Sequence, residues 1–195
     1  MKDSLLLQLY SQAQTVFTMD ELSQLFPNIN YKNLKDRLYY FTKVGKLKRP
    51  HRGVYAKNGY DSFELGNKIY TPSYISLETV LKKAGVVFQH YETTFLVSHL
   101  TRTLLIQGLN IQYRKMPNFI LTNKLGIEEK VGYFIATPER AFLDAVYIYK
   151  NYHFDNLGIL DWSKVDNLKG IYKSKVLKKR VTDYFKSYQE EYAKH

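Results

Sequence analysis

The sequence contains no cysteine, which excludes disulfide frameworks, thiolate zinc sites and cysteine nucleophiles, and suits a reducing compartment. Its ten glycines are scattered, without a G-x-G-x-x-G dinucleotide cradle, a G-x-x-x-x-G-K-[ST] phosphate loop or a G-x-S-x-G elbow. No apolar run reaches the roughly 18 residues of a membrane span, and the N-terminal stretch Leu5-Leu6-Leu7 is short for a signal peptide, so a cytoplasmic protein is expected. Internal repeats, low-complexity runs and sustained heptads are absent too. Acidic residues are scarce, 18 Asp and Glu against 29 Lys and Arg.

What is present is enough apolar material, 45% of 195 residues, for one medium domain or two small ones, which rules out disorder and fibrous repeats. The formal charge of +11 makes an anionic partner, nucleic acid foremost, the first expectation. That charge is localised. Residues 30–58 carry +8 and residues 164–195 carry +5, while residues 71–163 carry only +1. The first window holds Lys32, Lys35, Arg37, Lys43, Lys46, Lys48, Arg49, Arg52 and Lys57, opposed by Asp36 alone.

Apolar spacing predicts a first helix over 4–13, with Leu5, Leu6, Leu9 and Ala13 on one face. Thr18 and Glu21 form a Thr-x-x-Glu capping box for a short second helix that ends before Pro27. Asn30 caps a third helix, in which Leu34, Leu38 and Phe41 turn inward. Lys32, Asp36, Tyr39, Tyr40 and Lys43 then point outward, with Asn33 and Lys35 on the flanks. Gly45 ends this helix, and Gly45–Ala56 reads as a β-hairpin with a cationic tip. This order of elements is that of a winged helix-turn-helix, whose third helix enters the DNA major groove while the hairpin grips phosphate. A plain three-helix bundle with a solvated basic face, or a winged helix used for protein contacts, would share the order. The predicted DNA-contacting set is Lys32, Asn33, Lys35, Asp36, Tyr39, Tyr40, Lys43, Lys48, Arg49, His51 and Arg52.

Composition turns neutral near Gly59–Gly66, placing a domain boundary near residue 60. Beyond it, Lys68-Ile69-Tyr70 reads as a strand, and Ser76 caps a helix carrying Leu77, Val80 and Leu81 to a stop at Gly85. Strands are predicted at Phe95–His99, Thr103–Ile106, Ile111–Arg114 and Tyr133–Ala136. Thr137 and Pro138 start a helix that runs to about Tyr149, with Phe142, Ala145, Val146 and Tyr149 on one face. From Trp162 onward, apolar residues recur at helical spacing in one or two lysine-rich terminal helices.

No histidine pair has zinc-ligand spacing; His153/Asp155 and His90/Glu92 are the nearest approach to a metal motif. Glu128, Glu129, Lys130, Glu139 and Asp144 supply the residue types of a metal-dependent nuclease centre. For Glu139 and Arg140 the simpler expectation is a favourable charge at a helix start and surface pairing. No catalytic residue, metal or cofactor is therefore assigned.

Three blocks carry a family resemblance. They are Gly45–Arg49 with Arg52–Ala56; Thr71-Pro72-Ser73-Tyr74-Ile75-Ser76-Leu77-Glu78; and Ile135-Ala136-Thr137-Pro138-Glu139-Arg140-Ala141-Phe142-Leu143-Asp144. In this order they resemble the AbiEi-type antitoxins of type IV toxin–antitoxin systems, over roughly residues 15–150. The resemblance implies a winged helix that represses its own operon and a C-terminal domain that antagonises a nucleotidyltransferase-like toxin, with or without direct contact. It implies no catalytic residues. The wing of the family maps onto Arg49, Arg52 and Gly53, and its threonine-proline-glutamate-arginine helix start onto Thr137–Arg140.

The reading that follows is an α+β protein. Residues 1–59 form a winged helix-turn-helix binding double-stranded DNA, and residues 60–195 a mixed α/β antitoxin-type domain ending in basic helices. The alternative is a nuclease or nucleotide-processing enzyme that a winged helix targets to its substrate. RNA binding by the basic tail is a third reading, since the narrow major groove of A-form RNA does not admit the third helix.

Overall fold

The computed structural model describes residues 2–89 and 92–192, so His90 and His195 lie outside the described residues. The N-terminal half runs α1 (Lys2–Ser11), β1 (Val16–Thr18), α2 (Met19–Leu25), α3 (Tyr31–Lys43), β2 (Lys48–His51) and β3 (Val54–Ala56). The capping box is in place: the Thr18 hydroxyl accepts from Glu21 N at 3.2 Å, and the Glu21 carboxylate accepts from Thr18 N at 2.8 Å. Such a cap stabilises a helix by about 1 kcal/mol. Asn30 Oδ1 likewise accepts from Asn33 N at 2.8 Å to start α3, and Leu34, Leu38 and Phe41 are buried as their spacing requires. Gly45, at φ 72°, takes the left-handed conformation that ends α3.

β1 is an addition to the predicted elements. It pairs antiparallel with β3, giving a three-stranded sheet of order β1-β3-β2. Alternation splits this sheet between two cores. Phe17 and Tyr55 face a cluster with Leu5, Leu9, Leu22, Leu34, Leu38 and Phe41, whereas Val16, Val54 and Ala56 face the larger core of the second half.

No strand forms at Lys68–Tyr70: Lys68 and Ile69 are the last residues of a helix, α4 (Ser62–Ile69), and Tyr70 is its extended C-cap. The Asp61 carboxylate accepts from the N–H groups of Phe63 and Glu64, at 2.6 and 3.3 Å, and this cap outweighs the β-leaning residues downstream. Gly66 lets α4 lie close against Leu96, where an added Cβ would stand 3.3 Å from the leucine methyls.

The second half continues through β4 (Ser73–Ile75), α5 (Leu77–Ala84), β5 (Thr94–Ser98), β6 (Arg102–Ile106), β7 (Leu109–Lys115), α6 (Asn118–Leu121), β8 (Ile127–Lys130) and β9 (Tyr133–Ala136). It ends with α7 (Pro138–Ile148), α8 (Trp162–Leu168) and α9 (Lys175–Tyr192), with 3-10 turns at Leu157–Ile159 and Lys169–Tyr172. The six strands form a mixed sheet of order β6-β7-β5-β4-β9-β8, in which β5/β7 and β4/β9 are parallel. The predicted strands correspond to β5, β6, β7 and β9; β4, α6 and β8 are additional. The whole is a mixed α+β fold. Among the described residues no helix is long and apolar enough to cross a membrane.

Two local predictions are corrected. Ser76 stands at the N-terminal end of α5, but its hydroxyl caps no backbone N–H and donates to Asp144 Oδ2 at 2.7 Å. On α7 the Thr137 cap is made, to Arg140 N at 3.3 Å, yet every residue from Glu139 to Val146 is buried. The surface pairing expected of Glu139 and Arg140 is absent because α7 is covered by α5, α8 and α9.

The boundary predicted near residue 60 falls in the turn before α4, and strong ties cross it. Glu64 Oε2 accepts from the backbone N–H groups of Thr15 and Val16, at 2.6 and 2.7 Å, and from the Thr15 hydroxyl at 2.8 Å.

Candidate nucleic-acid interface

Helix α3 presents one continuous exposed face. Lys32, Asn33, Lys35, Asp36, Tyr39, Tyr40 and Lys43 are all exposed, while the same helix is anchored beneath by Leu34, Leu38 and Phe41. Lys43 Nζ lies 5.1 Å from the Tyr39 ring centre, so cation and phenol form a single exposed patch at the C-terminal end of α3. Arg37 stands apart, lining a depression with α1 and the α2–α3 turn.

The hairpin divides the remaining predicted residues into two groups. Arg49 lies over the Tyr55 ring, with its guanidinium carbon 5.7 Å from the centre. Burial pushes the Tyr55 phenol above its ordinary range, opposed by the charge of Arg49. Tyr55 packs in the same core as Leu34, Leu38 and Phe41 of α3, so Arg49 is held over a ring that the helix backs. Arg52 is exposed at the tip, next to Gly53 at φ 76°; the Gly53 carbonyl accepts from Met19 N at 2.9 Å and ties the tip to the start of α2. Lys48 and His51 turn the other way. Lys48 Nζ lies 5.9 Å from the Tyr60 ring centre, and the His51 ring packs edge-on to Tyr70 at 6.5 Å. Seven of the eleven predicted residues thus share the exposed face of α3, Arg49 lies over Tyr55, Arg52 stands exposed at the hairpin tip, and Lys48 and His51 border the second half.

Tyr31 was not among the predicted contacts. Its exposed ring stands at the first position of α3, and its place directly after the Asn30 cap was the available signal. Lys57, in contrast, leaves the cationic window. It is buried, and its ammonium donates to the carbonyls of Tyr10, at 3.1 Å, and Gln12, at the C-terminal end of α1. Burial lowers its pKa against the raising effect of Glu64.

The basic C-terminal segment is partly structural as well. Arg180 donates to the carbonyls of Val146 and Tyr149 at the end of α7, at 3.0 and 3.2 Å, and Lys164 and Lys169 pair with Asp161 and Asp166. Lys175, Lys178, Lys179 and Lys186 remain exposed on α9.

The residues considered for a nuclease centre do not converge. Glu128, Glu129 and Lys130 are exposed on β8, and Glu139 Oε1 accepts from Asp161 N at 3.4 Å. Asp144 is wholly buried and receives the hydroxyls of Ser76, Tyr74 and Tyr172 at 2.7, 3.0 and 2.7 Å. Arg140 Nε stands 3.5 Å from Asp144 Oδ1. Its terminal nitrogens donate to the carbonyls of Ile120 and Leu125, at 2.7 and 2.8 Å, and to the Tyr74 hydroxyl at 3.1 Å. Burial raises the Asp144 carboxyl, against the lowering effect of Arg140 and the three hydroxyls. His153 Nε2 is 3.6 Å from Asp155 and largely exposed, and no group of three or more metal-ligating side chains occurs among the described residues.

The buried cluster explains the last two sequence blocks physically. β4 and β9 pair in parallel, so Tyr74 and Ser76 from one block meet Arg140 and Asp144 from the other. Neither a protein-family model nor a curated protein matches the chain.

Proposed function

We propose that the protein is a DNA-binding transcriptional regulator whose N-terminal half is a winged helix-turn-helix. The observation that carries this reading is the exposed face of α3, cationic and aromatic, standing beside the Arg49–Arg52 hairpin and backed by the Leu34–Leu38–Phe41 stripe. An exposed helix of this kind fits the major groove, where each base pair displays its own donor and acceptor pattern. The hairpin lies along the adjoining backbone and supplies sequence-independent affinity.

The resemblance of the three blocks to AbiEi-type antitoxins extends the proposal. The regulator represses its own operon, and its second half counteracts a nucleotidyltransferase-like toxin. The exposed α3–hairpin surface supports the first role. The close pairing of the other two blocks around Arg140 and Asp144 supports their belonging to one structural unit.

The test is duplex DNA binding followed by fluorescence anisotropy across a salt series. If α3 and the hairpin neutralise about four to six phosphates, log K falls against log salt with a slope of roughly −4 to −5. Salt-independent binding, or none, would overturn the proposal. In cells, Arg49→Ala combined with Arg52→Ala is expected to derepress a promoter reporter while growth rescue from the toxin persists.

A further inference from the structure

The two edges of the six-stranded sheet are unlike. β8 carries Glu128, Glu129 and Lys130 in succession, the kind of charge that blocks strand addition. β6, with the sequence Arg-Thr-Leu-Leu-Ile, has charge only at its first residue, contains no proline, and exposes Leu105 to 72%. Among the described residues no strand pairs with its outer side.

Its register fixes which backbone groups are free. The β6–β7 turn has two residues, Gln107 and Gly108, with φ of 50° and 85°, the positive values of a type I′ hairpin. The flanking pair Ile106–Leu109 is therefore hydrogen-bonded, and pairs alternate from there. Arg102, Leu104 and Ile106 direct their N–H and C=O groups to β7, and Thr103 and Leu105 direct theirs outward.

We propose that this edge pairs antiparallel with β6 of a second copy of the chain, about a two-fold axis through Leu104. In that register Thr103 lies opposite Leu105 of the other copy, so all four outward groups of each chain are bonded. The two exposed Leu105 side chains become diagonal neighbours on one face. Charge is compatible with this pairing. Arg102 faces Ile106 of the other copy, and the two Arg102 residues are offset by four positions, about 14 Å, beyond the screening length of roughly 8–10 Å. The corresponding pairing of β8 sets Glu128 directly opposite Glu128, which is repulsive. The sheet thus has one edge that accepts a copy of itself and one that refuses it.

The experiment is light scattering coupled to size exclusion over a concentration series, on the full chain. The wild type is expected at twice its 23.0 kDa chain mass. Leu105→Lys, a change at an exposed position, is expected at the monomer mass with an unchanged circular dichroism spectrum. Glu129→Lys, at the other edge, remains dimeric. Because the chain has no cysteine, Leu104→Cys provides a single reporter thiol. Its Cα lies about 4.5 Å from that of its counterpart in a non-bonded antiparallel pair, so mild oxidation is expected to cross-link it. Leu105→Cys, directed at Thr103, is expected to cross-link far less. A monomeric wild type, a dimer that survives Leu105→Lys, or failure of Leu104→Cys to cross-link would each overturn the proposal.

Discussion

Helices α3 and α7 both begin at a side-chain cap, Asn30 in one and Thr137 in the other, yet they use charge in opposite ways. On α3 the charges stand outside and three apolar residues lie beneath. On α7 an arginine and an aspartate four residues apart are buried together, and both have no exposed side-chain surface. Identical residue types thus have different physical meanings. An exposed cation adds little to stability and is free to meet a partner; a buried one depends on every group around it.

The sharpest way to break the comparison is to remove one member of the buried pair. Arg140→Met leaves Asp144 without its cation and is expected to destabilise the protein by about 3–5 kcal/mol, measured by urea unfolding. Adding Asp144→Leu should restore part of that loss, though the hydroxyls of Tyr74, Ser76 and Tyr172 then lack their acceptor. A loss under 1 kcal/mol in the single variant would mean that the cluster is not a structural centre.

On α3 the expectation reverses. Lys35→Ala or Asn33→Ala should shift stability by no more than about 0.5 kcal/mol, while altering sequence preference by about 1–3 kcal/mol if the residue reads a base edge. Arg49→Ala and Arg52→Ala should weaken specific and random duplexes alike. Equal behaviour of the two sets would erase the proposed division between reading helix and positioning hairpin. Smaller still is the cap: Thr18→Ala should cost about 1 kcal/mol by thermal unfolding.

The smallest effect concerns Glu21. Burial pushes its carboxyl up, but the Lys68 ammonium, and the backbone N–H and hydroxyl of Thr18, hold it below its ordinary value of 4.5. A carboxyl lowered in the folded state contributes stability above its unfolded pKa and loses that contribution as pH falls through the folded one. Melting temperature should therefore drop on acidification below about pH 4.5 in the wild type, and Glu21→Gln should flatten that step.

Elements with a local signature were legible in the sequence: the Thr18–Glu21 box, the Asn30 cap with its apolar stripe, the glycine-ended α3 and α5, and the Thr137–Pro138 start. What escaped depends on partners distant in sequence. Three residues at Val16–Thr18 become a strand only because Val54–Ala56 lies beside them. Ser76 forsakes its helix for Asp144, 68 residues away. Tyr74 and Tyr172 approach the same carboxylate from opposite parts of the chain, so no spacing rule along α7 announces a buried ion pair there. The candidate surface was legible for the same reason as α3 itself: exposure follows helical period. Which cations were diverted inward, Lys57 and Arg180, became visible only with the carbonyls they bind.

The three-stranded sheet, with Phe17 and Tyr55 on one side and Val16, Val54 and Ala56 on the other, is a party wall between two rooms. Neither room keeps its own lining if the wall is taken down, and Glu64 bolts the wall to the larger one. The thermodynamic consequence is coupled melting. Calorimetry of the intact chain should give one endotherm, with a van't Hoff enthalpy matching the calorimetric value. A polar replacement of Val54 should lower the melting of α3 and α7 together, although neither helix contains that residue.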